Sequence, residues 1–282
     1  MTGAPLGILA GGGELPARVA AAAEAMGRPV FVIALEGAAD LGLLSRFRHC
    51  VARIGAAGRI LRALREQNCC DVVLIGAVRR PSILSLRPDA AGARLLARIG
   101  RAAFGGDDAL LAAVVRVLEE EGFRVIGADT VLADALAPAG VLTKCRPDEL
   151  AEGDTRRGVA VARALGAADV GQGCVVQQGL VLAVEAIEGT DAMLARAAGL
   201  ARPGPGGVLV KLVKPGQERR ADLPTIGPAT VTAAAQAGLR GIAFEAGGVM
   251  LAGRQATIAA ADEAGLFLLG LDPAAFLKES PA

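Results

Sequence analysis

Three carboxylates fall within seven residues at the end of an apolar run, in Val184-Glu185-Ala186-Ile187-Glu188-Gly189-Thr190-Asp191. A second stretch, Lys211 to Gly227, follows another apolar run and mixes Lys211 and Lys214 with the carboxylate of Asp222. Magnesium takes oxygen ligands, usually one or two carboxylates completed by phosphates and water. Lysines beside such acids neutralise charge that develops on a phosphoryl group. These residue types therefore point to phosphate chemistry, with Asp222, Glu188, Asp191 and Lys214 as catalytic candidates. Asp222, Asp191 and Glu188 are the oxygen donors for Mg2+. A plainer role exists for Asp191 or Thr190, which stand where a helix begins and suit its N-cap.

Elements that position such groups are legible on both sides. Leu6 to Ala10 is a short apolar run ending in Gly11-Gly12-Gly13, and Pro16 suits the first turn of the Ala-rich helix that follows. A strand, a glycine loop and a helix N-terminus make a ready anion site. The pattern repeats through a buried strand at 29–35, a helix at 58–67, a strand at 71–78, a helix at 109–121 and a strand at 123–128. Alternating short apolar strands and helices indicate parallel β-α units, a Rossmann-like half. Arg79 and Arg80 end one of these strands, on the side where open α/β sheets bind ligands. The dinucleotide fingerprint needs a third glycine where this chain has Pro16, although Glu36 does stand at the end of the second strand. A phosphate or sugar on the Gly11–Gly13 loop fits better than a nicotinamide cofactor.

Pro138 and Gly140 mark a boundary, giving an N-terminal α/β domain over 1–135, a linker over 136–144 and a C-terminal α/β domain over 145–282. The second half opens on a helix at 148–165. Two β-rich runs around Gln178-Gly179 then read as a hairpin whose second strand delivers the acidic stretch. Further short strands at 207–213, 241–244, 249–251 and 266–271, with a helix at 229–238, complete a mixed sheet with helices. The fold class is α/β in both domains, the first with a mostly parallel sheet.

Composition removes several alternatives. Aromatic residues are 2% of the chain, with no Trp or Tyr, and the net charge is +1. Nucleic-acid binding normally needs a basic excess and stacking side chains, so no nucleic-acid partner is expected. Five cysteines at 50, 69, 70, 145 and 174 form no Cys-x-x-Cys pair and read as small apolar residues in a reducing cytosol. His49 is the only histidine, which disfavours a histidine-ligated metal or a relay triad. No uncharged stretch reaches the roughly 18 residues needed to span a bilayer.

Three segments taken together, Leu9-Ala10-Gly11-Gly12-Gly13-x-Leu15-Pro16, Glu185-Ala186-Ile187-Glu188-Gly189-Thr190-Asp191, and Lys214-Pro215-x-Gln217 with Asp222-Leu223-Pro224, resemble a known family. It is the UDP-2,3-diacylglucosamine pyrophosphatase family of lipid A biosynthesis, in the form found where the calcineurin-like enzyme is absent. The similarity runs the length of the chain. It implies hydrolysis of UDP-2,3-diacylglucosamine to 2,3-diacylglucosamine 1-phosphate (lipid X) and UMP with Mg2+. It also implies a cytoplasmic homodimer in transient contact with the inner membrane surface and a nucleotide-linked lipid as substrate. Asp222 matches the acid tied to catalysis, and Glu218 stands where the family pattern has Asp. Gly11, Gly12, Gly13, Leu15, Arg79, Arg80, Thr190, Lys211, Gln217 and Thr225 are the substrate-binding candidates. The rivals are an NAD(P)-dependent oxidoreductase, suggested by the Rossmann-like half, and a non-catalytic nucleotide- or lipid-binding regulator.

Overall fold

A computed structural model describes residues 3–78, 86–100, 106–132 and 135–278, with the side chain of Asp107 left aside. The chain divides into two compact units, Met1–Leu132 with Glu218–Asp222, and Ala133–Gln217 with Leu223–Ala282.

The first unit runs β1 (Leu6–Ala10), α1 (Leu15–Ala25), β2 (Val30–Leu35), α2 (Leu41–Leu44), β3 (His49–Ala52), α3 (Ala57–Glu66), β4 (Asp71–Ile75), α4 (Ala90–Ile99), α5 (Asp107–Glu120) and β5 (Arg124–Val125). Its strands form one sheet in the order β3-β2-β1-β4-β5, every pairing parallel. That is the doubly wound order, whose direction reverses at β1 and β4. Ile33, Val72, Leu61, Leu64, Val115 and Phe123 make its core, each nearly or wholly out of water. Helices α3 and α5 cover the sheet because their apolar residues recur on one face, as with Ile60, Leu61 and Leu64. The last strand is only two residues long, shorter than the apolar run at 123–128, because Ala128–Thr130 turns into a single 3-10 turn. Gly106 is the N-cap of α5.

In the second unit come β6 (Gly140–Val141), α6 (Glu149–Ala167), β7 (Gly173–Gln177), β8 (Leu180–Val184), α7 (Gly189–Ala198), β9 (Val208–Lys211), β10 (Thr225–Ile226), α8 (Pro228–Gln236), β11 (Gly241–Glu245), β12 (Met250–Leu251), α9 (Arg254–Glu263), β13 (Phe267–Leu271) and α10 (Pro273–Lys278). Six strands order as β6-β13-β11-β9-β7-β8, and β10 pairs with β12 separately. Strands β9, β11 and β13 are parallel, while β6, β7 and β8 each join by an antiparallel pairing, so the sheet is mixed. Side chains alternate across its two faces as the strand period of two requires. Cys174, Val176, Val208, Val210 and Ala243 pack beneath α6, whereas Val175, Leu209, Ile242, Phe244 and Leu268 pack against α7, α8 and α9. Burying each large apolar side chain contributes about 1.5–3 kcal/mol.

Residues 136–144, expected to be a linker, are built into this second unit. Ala137 lies in its core, Leu136 bridges to Met250, and Gly140 and Val141 pair with β13. The cysteines are also less uniform than expected. Cys69 and Cys174 are buried, burial pushing the first thiol up to about 11 and the second to about 12, but Cys70 is exposed. No described helix is long and apolar enough to cross a membrane.

Two polar contacts hold the frames in register. In the first unit the buried Asp71 takes Arg124 at 2.6 and 2.9 Å and Arg28 at 2.6 Å. In the second, Gln178 and Gly179 both have positive φ, as a two-residue hairpin turn requires, and their N–H groups donate to the buried Asp154 of α6 at 3.1 and 2.7 Å. Replacing Asp154 with Ala leaves those donors unanswered, and chemical denaturation should show a loss of about 1–3 kcal/mol. The hydrogen bond from Arg124, then those from Arg28, hold the Asp71 carboxyl below its ordinary 3.8. A depressed carboxylate stabilises the fold above its unfolded pKa, and that contribution disappears as pH falls through the folded value. Wild-type stability should therefore drop on acidification below about pH 4, with a shallower drop in Asp71→Asn, as read by denaturation at stepped pH.

Candidate active site

In the second unit the topology brings several charged side chains to one edge of the sheet. Strand β7 runs antiparallel to both β8 and β9, so the ends of β8 and β9 emerge beside its start. Gly173 faces Lys211, Cys174 faces Val184, and the Glu185 N–H donates to Gly173 O at 2.9 Å. Glu185 and Lys211 are both 6% exposed. Thr190, in the first turn of α7, joins the two. Lys211 Nζ donates to Thr190 Oγ1 at 2.6 Å, and the Thr190 hydroxyl donates to Glu185 Oε1 at 2.6 Å. Glu185 Oε2 is buried with no hydrogen-bond partner. The chain leaves no room for side chains behind this carboxylate. A Cβ at Gly173 would sit 2.9 Å from Glu185 Oε2, and one at Gly171 2.0 Å from Glu185 O.

Beyond β9, Lys214 Nζ bonds Asp169 Oδ1 at 2.7 Å, with its side chain 10% exposed. The buried Gln217 accepts from the Lys214 N–H at 3.0 Å, so Lys214-Pro215-Gly216-Gln217 closes as a tight loop. Glu245, at the end of β11, accepts from the Val213 N–H at 3.1 Å. Thr225 lies in β10 and donates to Leu223 O at 3.2 Å. Asp191 and Glu188 are exposed. The N-cap of α7 is Glu188, which corrects the capping role read for Asp191 or Thr190; those two lie inside the first turn. The backbone N–H of Glu188 itself, and then Arg196 at 2.6 Å, hold the Glu188 carboxyl below the usual range.

Asp222 belongs to the first unit, on the five-residue strap Glu218–Asp222. Glu218 accepts both the Ala221 and Asp222 N–H groups on its backbone oxygen, each at 3.0 Å. Its side chain grips the Arg220 guanidinium through Nε and Nη2 at 2.8 Å each, while Arg220 Nη1 reaches Glu119 at 2.6 Å. That fork, first among its causes, holds the Glu218 carboxyl low and pushes Arg220 up. Ala221 packs on the first unit's core. Asp222 is thus half-buried at the end of a segment fixed by a bidentate pair and an apolar anchor.

The glycine loop of the first unit is placed differently from a phosphate cradle. Gly11 donates to Ile75 O and Gly12 to Ala77 O, both at 2.8 Å, so two of its N–H groups are already used. A Cβ at Gly11 would meet Gly76 O at 2.5 Å and one at Gly12 would meet Ala38 O at 2.9 Å. Glycine there answers close packing with the loop after β4. Leu15 opens α1 next to Pro16, which occupies the place of the missing third glycine. Arg79 and Arg80 lie outside the described residues.

Among the described residues no three His, Cys, Asp or Glu side chains gather to hold a cation. The donor chemistry still fits a Mg2+ ion that arrives with a diphosphate, since such ions need only one or two carboxylates besides phosphate oxygens. Reading the sequence alone missed Glu185 as a site residue, and with it Asp169, Glu245, Arg220 and Glu119. Only the register of β7, β8 and β9 brings Glu185 and Lys211 to either side of Thr190.

A doubly wound first unit and a mixed-sheet second unit, with lysines and carboxylates at strand ends of the second, define a two-unit α/β protein. Residues 5–135 match the LpxI N-terminal domain, and residues 138–269 match the LpxI C-terminal domain. The chain is 47% identical over 274 residues to the UDP-2,3-diacylglucosamine pyrophosphatase LpxI of Caulobacter vibrioides, covering 95% of this chain and 98% of that protein. It belongs to the LpxI family.

The strap makes a specific demand. Arg220→Ala removes the clamp without touching Asp222, and, on the expectation that Asp222 is catalytic, misplacing it by an ångström costs up to about 100-fold. Turnover should fall at least about 10-fold while circular dichroism stays native, with Arg220→Lys failing to restore it because an ammonium cannot make the bidentate pair.

Proposed function

We propose that this chain is a UDP-2,3-diacylglucosamine pyrophosphatase acting in lipid A biosynthesis. The observation that carries the reading is the near full-length match to the Caulobacter enzyme, spanning both units. The products are UMP and 2,3-diacylglucosamine 1-phosphate. Asp222 orients the attacking water, and the hold of Glu218 and Arg220 on its strap supports that role. Lys211 and Lys214 answer the negative charge on the diphosphate and on the leaving oxygen; the position of both at the end of β9 supports this. Thr190, Gln217 and Thr225 complete the polar lining.

When bound, Mg2+ would screen the diphosphate and polarise the phosphorus under attack. Asp222 is the carboxylate proposed to hold it. Arg196 already answers the charge of Glu188. The protein works in the cytoplasm as a homodimer and meets its lipid substrate at the inner membrane surface.

Asp222→Asn keeps size and removes the charge. Loss of turnover by at least about 100-fold from a folded variant would agree with its role. Chelation by EDTA should also abolish turnover, and added Mg2+ should restore it. Full activity of Asp222→Asn, or activity indifferent to EDTA, would overturn the assignment of that residue or of that ion.

A further inference from the structure

An ammonium almost wholly removed from water is costly unless an opposite charge and hydrogen bonds answer it. Lys211 is in that position, yet no carboxylate lies within ion-pair distance of its Nζ among the described residues. Lys211 donates to the Thr190 hydroxyl, which in turn donates to the buried Glu185. A hydroxyl has one proton and two lone pairs, so this arrangement fixes every role. Thr190 must give its proton to Glu185 and so presents a lone pair to Lys211. Two of the three Nζ–H bonds of Lys211 are left for other acceptors.

We infer that Glu185 and Thr190 are positioning residues that aim Lys211 at the anionic ligand. Glu185 anchors the chain of hydrogen bonds. Its second oxygen is buried and has no partner, Gly173 leaves no room for a larger side chain beside that oxygen, and Gly171 packs against the Glu185 backbone carbonyl. Thr190 converts that anchored negative charge into a directed acceptor. Lys211 is thereby held in one rotamer, with its remaining N–H groups free for a phosphate oxygen. The ligand class is a phosphate or diphosphate, which can accept two charge-assisted hydrogen bonds from one ammonium. Glu185 touches no ligand itself, since its free oxygen is buried.

Two readouts test the inference. The chain has only four lysines, Lys144, Lys211, Lys214 and Lys278, so side-chain ammonium signals of 15N-lysine-labelled protein can be assigned singly. The Lys211 signal should be slow to exchange in the wild type, and should broaden away in Thr190→Val and Glu185→Gln while that of Lys214 persists. This arm needs no turnover and is independent of the pyrophosphatase reading. The kinetic arm rests on that reading. Thr190→Val should lower kcat/KM about 10- to 100-fold, with Thr190→Ser restoring it to within about threefold. If Glu185 acts through Lys211, Glu185→Gln combined with Lys211→Met should be no worse than Lys211→Met alone. The double variant also removes both buried charges, so it guards against a single variant that fails to fold. A Lys211 signal unchanged in Thr190→Val, or additive kinetic losses in the double variant, would overturn the inference. A wild type that shows the slow Lys211 signal but no turnover would instead count against the proposed substrate.

Discussion

A buried lysine cannot stand alone, and much of the second unit follows from how Lys211 is answered. The nearest acid in its chain of hydrogen bonds, Glu185, follows β8, and Thr190 can join the two because β7 runs antiparallel between β8 and β9. The turn at Gln178-Gly179 and a register shift between Val175 and Val176 together set that alignment, and Asp154 of α6 ties the turn down. Helix α7 must then begin where Thr190 can span the gap. The apolar alternation through Val175, Leu209, Ile242 and Leu268 keeps the helices on that face, so the polar chain is held by the packing of the core.

The first unit solves a different problem with different means. Its parallel sheet has the doubly wound order that commonly carries nucleotides, but the glycines after β1 are committed to close packing and to hydrogen bonds with the loop after β4. The charged device of this unit is the strap. There a guanidinium fork between Glu218 and Arg220 and the contact to Glu119 fix the backbone that carries Asp222. Such a fork is directional, which suits holding a short segment without regular structure.

Periodicity and turn chemistry made most of the architecture legible. The β-α alternation of the first half, the hairpin and α6 all stand close to where the residue pattern puts them, because each follows from local rules of burial and turn geometry. Helices α4 and α9 did not announce themselves; both are short and Ala-rich, and α9 carries few large apolar residues. The site was half legible. Lys211, Thr190 and Lys214 were singled out by type and spacing, and the structure joins the first two directly. Glu185 was passed over in favour of Glu188, which sits on the exposed helix start against Arg196. Three acids in seven residues look equivalent in a string of letters. Only strand register, a non-local property, separates the buried one from the solvated two.

The central claim is that the chain cleaves the bond between the two phosphorus atoms of a nucleotide-linked lipid. Mass spectrometry of the products from UDP-2,3-diacylglucosamine and purified protein, run in oxygen-18 water, addresses it most directly. The account predicts UMP and 2,3-diacylglucosamine 1-phosphate, with a single heavy oxygen on one of the two. Release of UDP and the free diacyl sugar would place the cleavage at the sugar–phosphate bond and contradict it, as would no turnover from folded protein.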